Sequence, residues 1–194
     1  AVPAGRQPMF IFDAAMTTIA GNKIGLARRM GKPMLPGWVA KSDGTPDMDG
    51  GAAAEFAAGS VRMQLPVGST RELGSHKGYG LGLMVDILSG ILSAGASGLF
   101  SDRQKLEQGF WFAAWRIDAF RDPAEFKADM RRLVDTIRAT KPAPGRDAVL
   151  VAGDPEAIAR ADRTANGIPL DAETTDQLTA LGVEVGTPFP GPLA

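Results

Sequence analysis

The amino-acid sequence predicts an α/β protein of mixed α+β type, and three observations carry that expectation. Short apolar runs bounded by proline or glycine recur at residues 8–12, 108–117 and 148–152, the mark of buried strands. Segments with apolar residues at helical spacing alternate with them, residues 19–30 and 122–139 being the clearest. The third is residues 79–94, a predicted helix that is apolar nearly all round and whose one charge is Asp86. Such a helix belongs in a domain core or in a subunit interface, so a long buried helix is expected there.

Composition bounds the reading. A chain of 194 residues is long enough to bury a core and defaults to one domain. A net charge of −1 gives no electrostatic footprint for nucleic acid. The chain has no cysteine, which removes disulfide and thiolate chemistry and fits a reducing compartment. The opening residues lack a charged segment ahead of an apolar run, and residues 81–92 are too short and glycine-rich for a membrane span. A cytoplasmic protein without membrane or nucleic-acid partners is expected.

In order along the chain, Pro8-Met9-Phe10-Ile11-Phe12 reads as a buried strand that ends at Asp13 and meets the small residues Ala14 and Ala15. A helix follows over 19–30, with Arg28 and Arg29 suiting its C-terminal dipole and Gly31 and Pro33 stopping it. Residues 32–52 form a loop whose Ser42–Pro46 stretch is turn chemistry and whose Trp38 anchors it to a surface. In the 79–94 helix, Asp86 needs a partner or backbone donors, and a structural hub is favoured over a catalytic acid. Residues 108–117 read as a strand with Phe110, Trp111, Phe112 and Trp115 in an aromatic core. Asp122, Pro123 and Glu125 open the next helix. After Pro142–Gly145 a short strand at 148–152 leads into Gly153-Asp154-Pro155-Glu156, which opens a helix through Arg163. Residues 167–171 read as a strand entering a last helix at 172–181, and residues 186–194 as a flexible tail.

Two turns carry the candidate chemistry. His76 and Lys77 sit on a glycine-rich turn, with glycines at 74, 78, 80 and 82, ahead of the apolar helix. Amides at a helix start, together with the dipole, favour an anion; a tight helix–turn packing need explains the same glycines. The spacing fits neither the dinucleotide fingerprint nor the Walker A loop. At Gly153–Glu156 the amides again face a candidate anion, while Asp154 and Glu156 suit ribose hydroxyls better than a bare phosphate. No tight carboxylate or histidine cluster points to a metal, which leaves a metal-dependent phosphate clamp weakly supported.

Four segments, FDAAMTTIAGNKI (12–24), GSHKGYGLGLMVDILSGILSAG (74–95), FKADMRRLVDTIRATKPAPG (126–145) and VLVAGDPEAIARADRTANGIPL (149–170), resemble in sequence and order the C-terminal half of the malate/L-lactate dehydrogenase family. The likeness covers residues 1–185, and its lysine–glycine–tyrosine–glycine block is the most specific part. It implies a non-Rossmann sheet packed with helices, and an NAD- or NADP-dependent oxidoreductase acting on a small 2-hydroxy or 2-oxo acid. It places Asp13, Ala14 and Ala15 at the cofactor, Met16 at the substrate, His76 and Lys77 at the cofactor, and Gly153, Asp154, Pro155 and Glu156 at the cofactor as well. For Asp13, a strand-end cap stays open as the alternative. It also implies a homodimer.

Two departures matter. Family members often carry threonine where Met16 stands, and some carry an aspartate assisting the proton donor where Lys23 stands. The family's proton-donating histidine lies in its N-terminal region, whereas this chain's one histidine is His76, so no catalytic residue is assigned here. The resemblance therefore implies the cofactor-binding portion of an enzyme, inactive alone, whose missing N-terminal part is a partner. The alternative is a non-catalytic nucleotide-binding or assembly module that kept the scaffold.

Overall fold

The chain divides into two compact units, Ala14–Ala113 and Ala1–Asp13 with Ala114–Ala194. A computed structural model describes residues 1–5, 8–51, 63–102, 105 and 108–191; residue 52 of the expected loop and 192–194 of the tail lie outside them.

In Ala14–Ala113, helix α1 (Gly21–Arg29) buries Ile24 and Ala27, with Arg28 and Arg29 in its last turn. Ile24 and Ala27 pack with Ile19, Met34 and Val39, and the half-buried Trp38 covers the cluster. Each fully buried aliphatic side chain of this kind stabilises by about 1.5–3 kcal/mol over exposure. The 32–52 segment is more ordered than a loop. Strand β1 (Val39–Ala40) pairs antiparallel with β2 (Met63–Gln64), in the register Val39↔Gln64 and Ala40↔Met63. The expected 42–46 turn forms between them: Lys41 N–H donates to Thr45 O (2.8 Å) and Asp43 accepts from Thr45 N–H (2.8 Å). Beyond β2, Thr18 N–H donates to Leu65 O (2.8 Å) and Val67 N–H to Met16 O (3.2 Å), laying residues 16–18 beside 65–67.

Helix α2 covers Ser75–Asp86 and passes into a π-helical turn, Ile87–Ile91, where Leu92 N–H donates to Ile87 O (2.7 Å). It starts four residues before the expected 79, so His76 and Lys77 lie in its first turn instead of on a glycine turn. The expected burial is overturned within this chain. Tyr79, Leu81, Met84, Val85, Ile87, Ile91 and Leu92 are all exposed, and only Gly78 and Gly90 are buried. Sequence pattern states what a face needs; here the described residues leave it uncovered.

In the other unit, a 3-10 turn (Ile117–Ala119) precedes α3 (Pro123–Arg138). Asp122 caps α3 by accepting from the amides of Ala124 (2.8 Å) and Glu125 (2.9 Å), with proline at the first position. Helices α4 (Asp154–Asn166) and α5 (Ala172–Glu184) follow, each running three residues past its expected end. Asp171 caps α5 through Thr174 N–H (3.0 Å). Past Gly186, Thr187 N–H donates to Gly182 O (2.9 Å), so the start of the tail folds back on α5.

The expected strands at 8–12, 108–117, 148–152 and 167–171 are not formed. Residues 8–12 take part in the bridge Val2↔Phe10 and in the bond from Ile11 N–H to Ala152 O (3.1 Å). A strand needs a ladder on its edge, and neither bond extends into one. The aromatic core at 108–117 is likewise overturned: Phe110, Phe112 and Trp115 are exposed, the two phenylalanine rings stacking at 6.3 Å. The described sheet is therefore a single two-stranded antiparallel pair, much smaller than expected. Among the described residues, no helix is long and apolar enough to cross a membrane.

Candidate functional site

The first group of candidate residues lies on α2 and the ribbon beside it. Gly74 precedes the helix at φ +93°, a conformation that favours glycine, and its N–H and O are tied to Arg71 and Lys77. A methyl there would meet Lys77 Cδ at 3.7 Å, so the lysine stem lies over this bend. His76 and Lys77 are both exposed in the first helical turn, where the dipole favours an anion. Gly78 answers a different need. It is buried, and a Cβ would run into the backbone of Val67. One turn on, a Cβ on Gly82 would lie 3.8 Å from Met16 Cβ. The side-chain-poor stripe of α2 thus packs on the 65–67 segment and brings Met16 beside the helix that carries His76 and Lys77. Ala14 and Ala15, just ahead of Met16, are exposed.

The second group lies in the other unit. Gly153 is buried at φ +104°, with space for a Cβ closed by Met9 O at 2.5 Å and Ile11 N at 3.3 Å. The adjoining Asp154 is buried and fully engaged. It accepts from Arg138 Nη2 (2.6 Å) and Nε (3.1 Å) and from Val151 N–H (3.0 Å). The Arg138 guanidinium holds its carboxyl below the ordinary aspartate range, and the Arg138 guanidinium is itself raised by that pairing. This carboxylate therefore serves the protein; Pro155 and Glu156, at the exposed start of α4, are the members of the segment open to solvent. Asp13 is exposed and closes the run that begins at Met9. With no strand at 8–12, there is no strand end for it to cap.

Arg138 was not legible as a site neighbour in the sequence. It stands 16 positions from Asp154, and nothing local announces the pair. A cleft of about 390 Å³ at Asp86, Ser89, Gly98, Ser101 and Phe110 was also missed. Asp86 does find the expected partners: Ser97 Oγ donates at 2.6 Å and Gly98 N–H at 2.8 Å, and the Ser97 hydroxyl holds its carboxyl below the usual range. That is the structural hub the sequence favoured. Among the described residues, no group of three or more histidines, cysteines, aspartates or glutamates is placed to hold a metal.

Comparison with known proteins gives a consistent answer. The family model described as malate/L-lactate dehydrogenase matches residues 1–179. A malate dehydrogenase of Pyrococcus abyssi is 32% identical over 190 residues, covering 96% of this chain and 51% of that protein. An L-lactate dehydrogenase of Cupriavidus necator is 31% identical over 163 residues, covering 82% of this chain and 44% of the other. The crystal structure of malate dehydrogenase from Entamoeba histolytica is similar at a TM-score of 0.83 and 26% identity, covering 98% of this chain and 54% of that one. The chain thus spans about half the length of the relatives it matches.

Proposed function

Because the chain belongs to the malate/L-lactate dehydrogenase family, we propose that it is the cofactor-holding portion of an NAD- or NADP-dependent oxidoreductase acting on a small 2-hydroxy or 2-oxo acid. The observation that carries the proposal is the pair His76 and Lys77, exposed together in the first turn of α2 behind the left-handed Gly74.

The donor set fits such a group. Lys77 supplies a cation for ribose or phosphate oxygens, and the α2 dipole adds to it. The exposed Ala14 and Ala15 have no side chain beyond Cβ to hold a planar ring away from the backbone. Met16 offers an apolar surface to the substrate. A nicotinamide supplies hydride exchange with the carbon bearing the substrate oxygen. The protein's part is to bind, to orient and to keep water out. On this reading His76, the chain's one histidine, stands at the cofactor, so we assign the proton exchanged at that oxygen to a histidine outside these residues.

Titration with NADH and with NADPH, followed by energy transfer from tryptophan, tests the reading. Lys77→Ala is expected to weaken binding by roughly 10- to 100-fold, the loss of a charge-assisted contact. Unchanged affinity refutes the placement. No turnover is expected of the chain alone, and turnover is expected when a family member's N-terminal half is supplied.

The exposed apolar face of α2 and its π-helical turn favours a second reading, a non-catalytic assembly or nucleotide-binding module. A homodimer fits either reading, and a stable monomer on gel filtration contradicts it. Failure to bind either cofactor, with assembly intact, selects an assembly module.

A further inference from the structure

We propose that Arg138 is a positioning residue for the cofactor groups of its unit, holding the Gly153–Glu156 turn and the run ending in Asp13 through one two-pronged contact. The inference rests on the cofactor reading above and names a residue to which that reading gives no role.

The geometry begins at the C-terminal end of α3. Arg138, in the last turn, reaches Asp154 with Nη2 at 2.6 Å and Nε at 3.1 Å, both prongs of the guanidinium meeting both oxygens. Such a planar fork fixes orientation as well as distance, which a lysine cannot do. Asp154 passes the constraint on, since Oδ2 also accepts from Val151 N–H at 3.0 Å. The turn is closed further by Asp154 N–H donating to Val151 O (3.0 Å). Gly153, caught inside this turn at φ +104°, packs against Met9 O and Ile11 N. The preceding residue completes the link, Ala152 O accepting from Ile11 N–H at 3.1 Å.

A shift of the 151–154 turn must therefore move residues 9–11, and with them the approach to Asp13. The pair is also shielded, with side chains 25% and 9% exposed for Arg138 and Asp154, so solvent screens it less than a surface pair. Arg138 touches no proposed ligand; it acts through Asp154.

The test compares Arg138→Gln and Arg138→Lys with Asp122→Ala, all in the full chain. Asp122→Ala removes the N-cap of the same helix and loosens α3 without touching the pair. Two quantities are read: amide hydrogen exchange at Ile11 and Asp154, and affinity for NADH and NADPH by energy transfer. Both Arg138 variants are expected to speed exchange at the two amides and to weaken the cofactor by about five- to tenfold, with Asp122→Ala doing neither at matched loss of stability. The proposal is overturned if exchange at Ile11 does not change, or if Asp122→Ala weakens binding as much. Should the unaltered chain bind neither cofactor, the functional reading fails by itself. Exchange at Ile11 then decides the coupling alone, an increase supporting it and no change ending it.

Discussion

Two glycines of α2, one half-turn apart, give opposite expectations for the same substitution. At Gly80 a Cβ meets nothing within 4 Å, so Gly80→Ala gains helix propensity of about 1 kcal/mol with no clash. At Gly78 the same propensity gain applies, but the new methyl falls 2.5 Å from Val67 N and 2.8 Å from Val67 C. Ordinary carbon contacts begin near 3.5 Å, so helix or ribbon must move by roughly 1 Å. Overpacking of this kind costs about 1–3 kcal/mol or more, and here the obstacle is backbone with no flexible end to swing aside. The movement also stretches the Val67–Met16 bond, now 3.2 Å. Subtracting the propensity gain leaves Gly78→Ala destabilised by about 0–2 kcal/mol, and the two variants separated by the overpacking cost, about 1–3 kcal/mol. For a chain of this size that is roughly 2–12 °C between their melting temperatures. Thermal unfolding followed by circular dichroism reads it directly. A Gly78→Ala variant melting at or above Gly80→Ala would show that α2 does not lie on the 65–67 segment, and the juxtaposition of Met16 with His76 and Lys77 would go with it.

Gly153→Ala and Gly145→Ala form a second pair. Both have positive φ, +104° and +78°, but only Gly153 has a neighbour, Met9 O at 2.5 Å, where Gly145 has none within 4 Å. Urea unfolding should show a loss of about 1 kcal/mol for Gly145→Ala and about 3 kcal/mol or more for Gly153→Ala; equal losses refute the packing of Met9 on the turn. The Arg138–Asp154 pair also sets a pH dependence. Asp154 is held below its ordinary value, so its contribution is complete above the unfolded aspartate pKa and fades as pH falls through the folded one. Unfolding free energy should therefore drop below about pH 4, and Asp154→Asn should flatten that part of the profile. A profile unchanged by Asp154→Asn counts against the pair.

What could be read from the sequence was what is decided locally. Asp122-Pro123 announces a helix start because cap and amides lie within three residues, and the structure uses it; the Asp171 cap was read as the end of a strand. Strands were misread for the opposite reason. Residues 108–117 have strand composition, yet a ladder is made by a distant edge, and among the described residues that segment has none. The converse error occurred at 32–52, where proline, glycine and aspartate signalled a loop while Val39 and Ala40 paired with Met63 and Gln64 far along the chain. The site divides in the same way. The glycine context pointed to His76 and Lys77 as candidates; nothing local pointed to Arg138, since only folding brings it to Asp154.

The apolar helix shows how far hydrophobic pattern reaches. Its composition demands cover on most of its circumference, and the described part of the chain covers mainly the glycine stripe at 78 and 90. Tyr79, Met84 and Ile91 are among the large apolar residues of this helix that stay exposed. The same face on a relative twice as long has another half of a protein available to meet it. Pattern therefore specified a burial that depends on what this helix meets, and the proposed homodimer or N-terminal part are the two candidates that hydrogen exchange on Met84 and Ile91, before and after assembly, would tell apart.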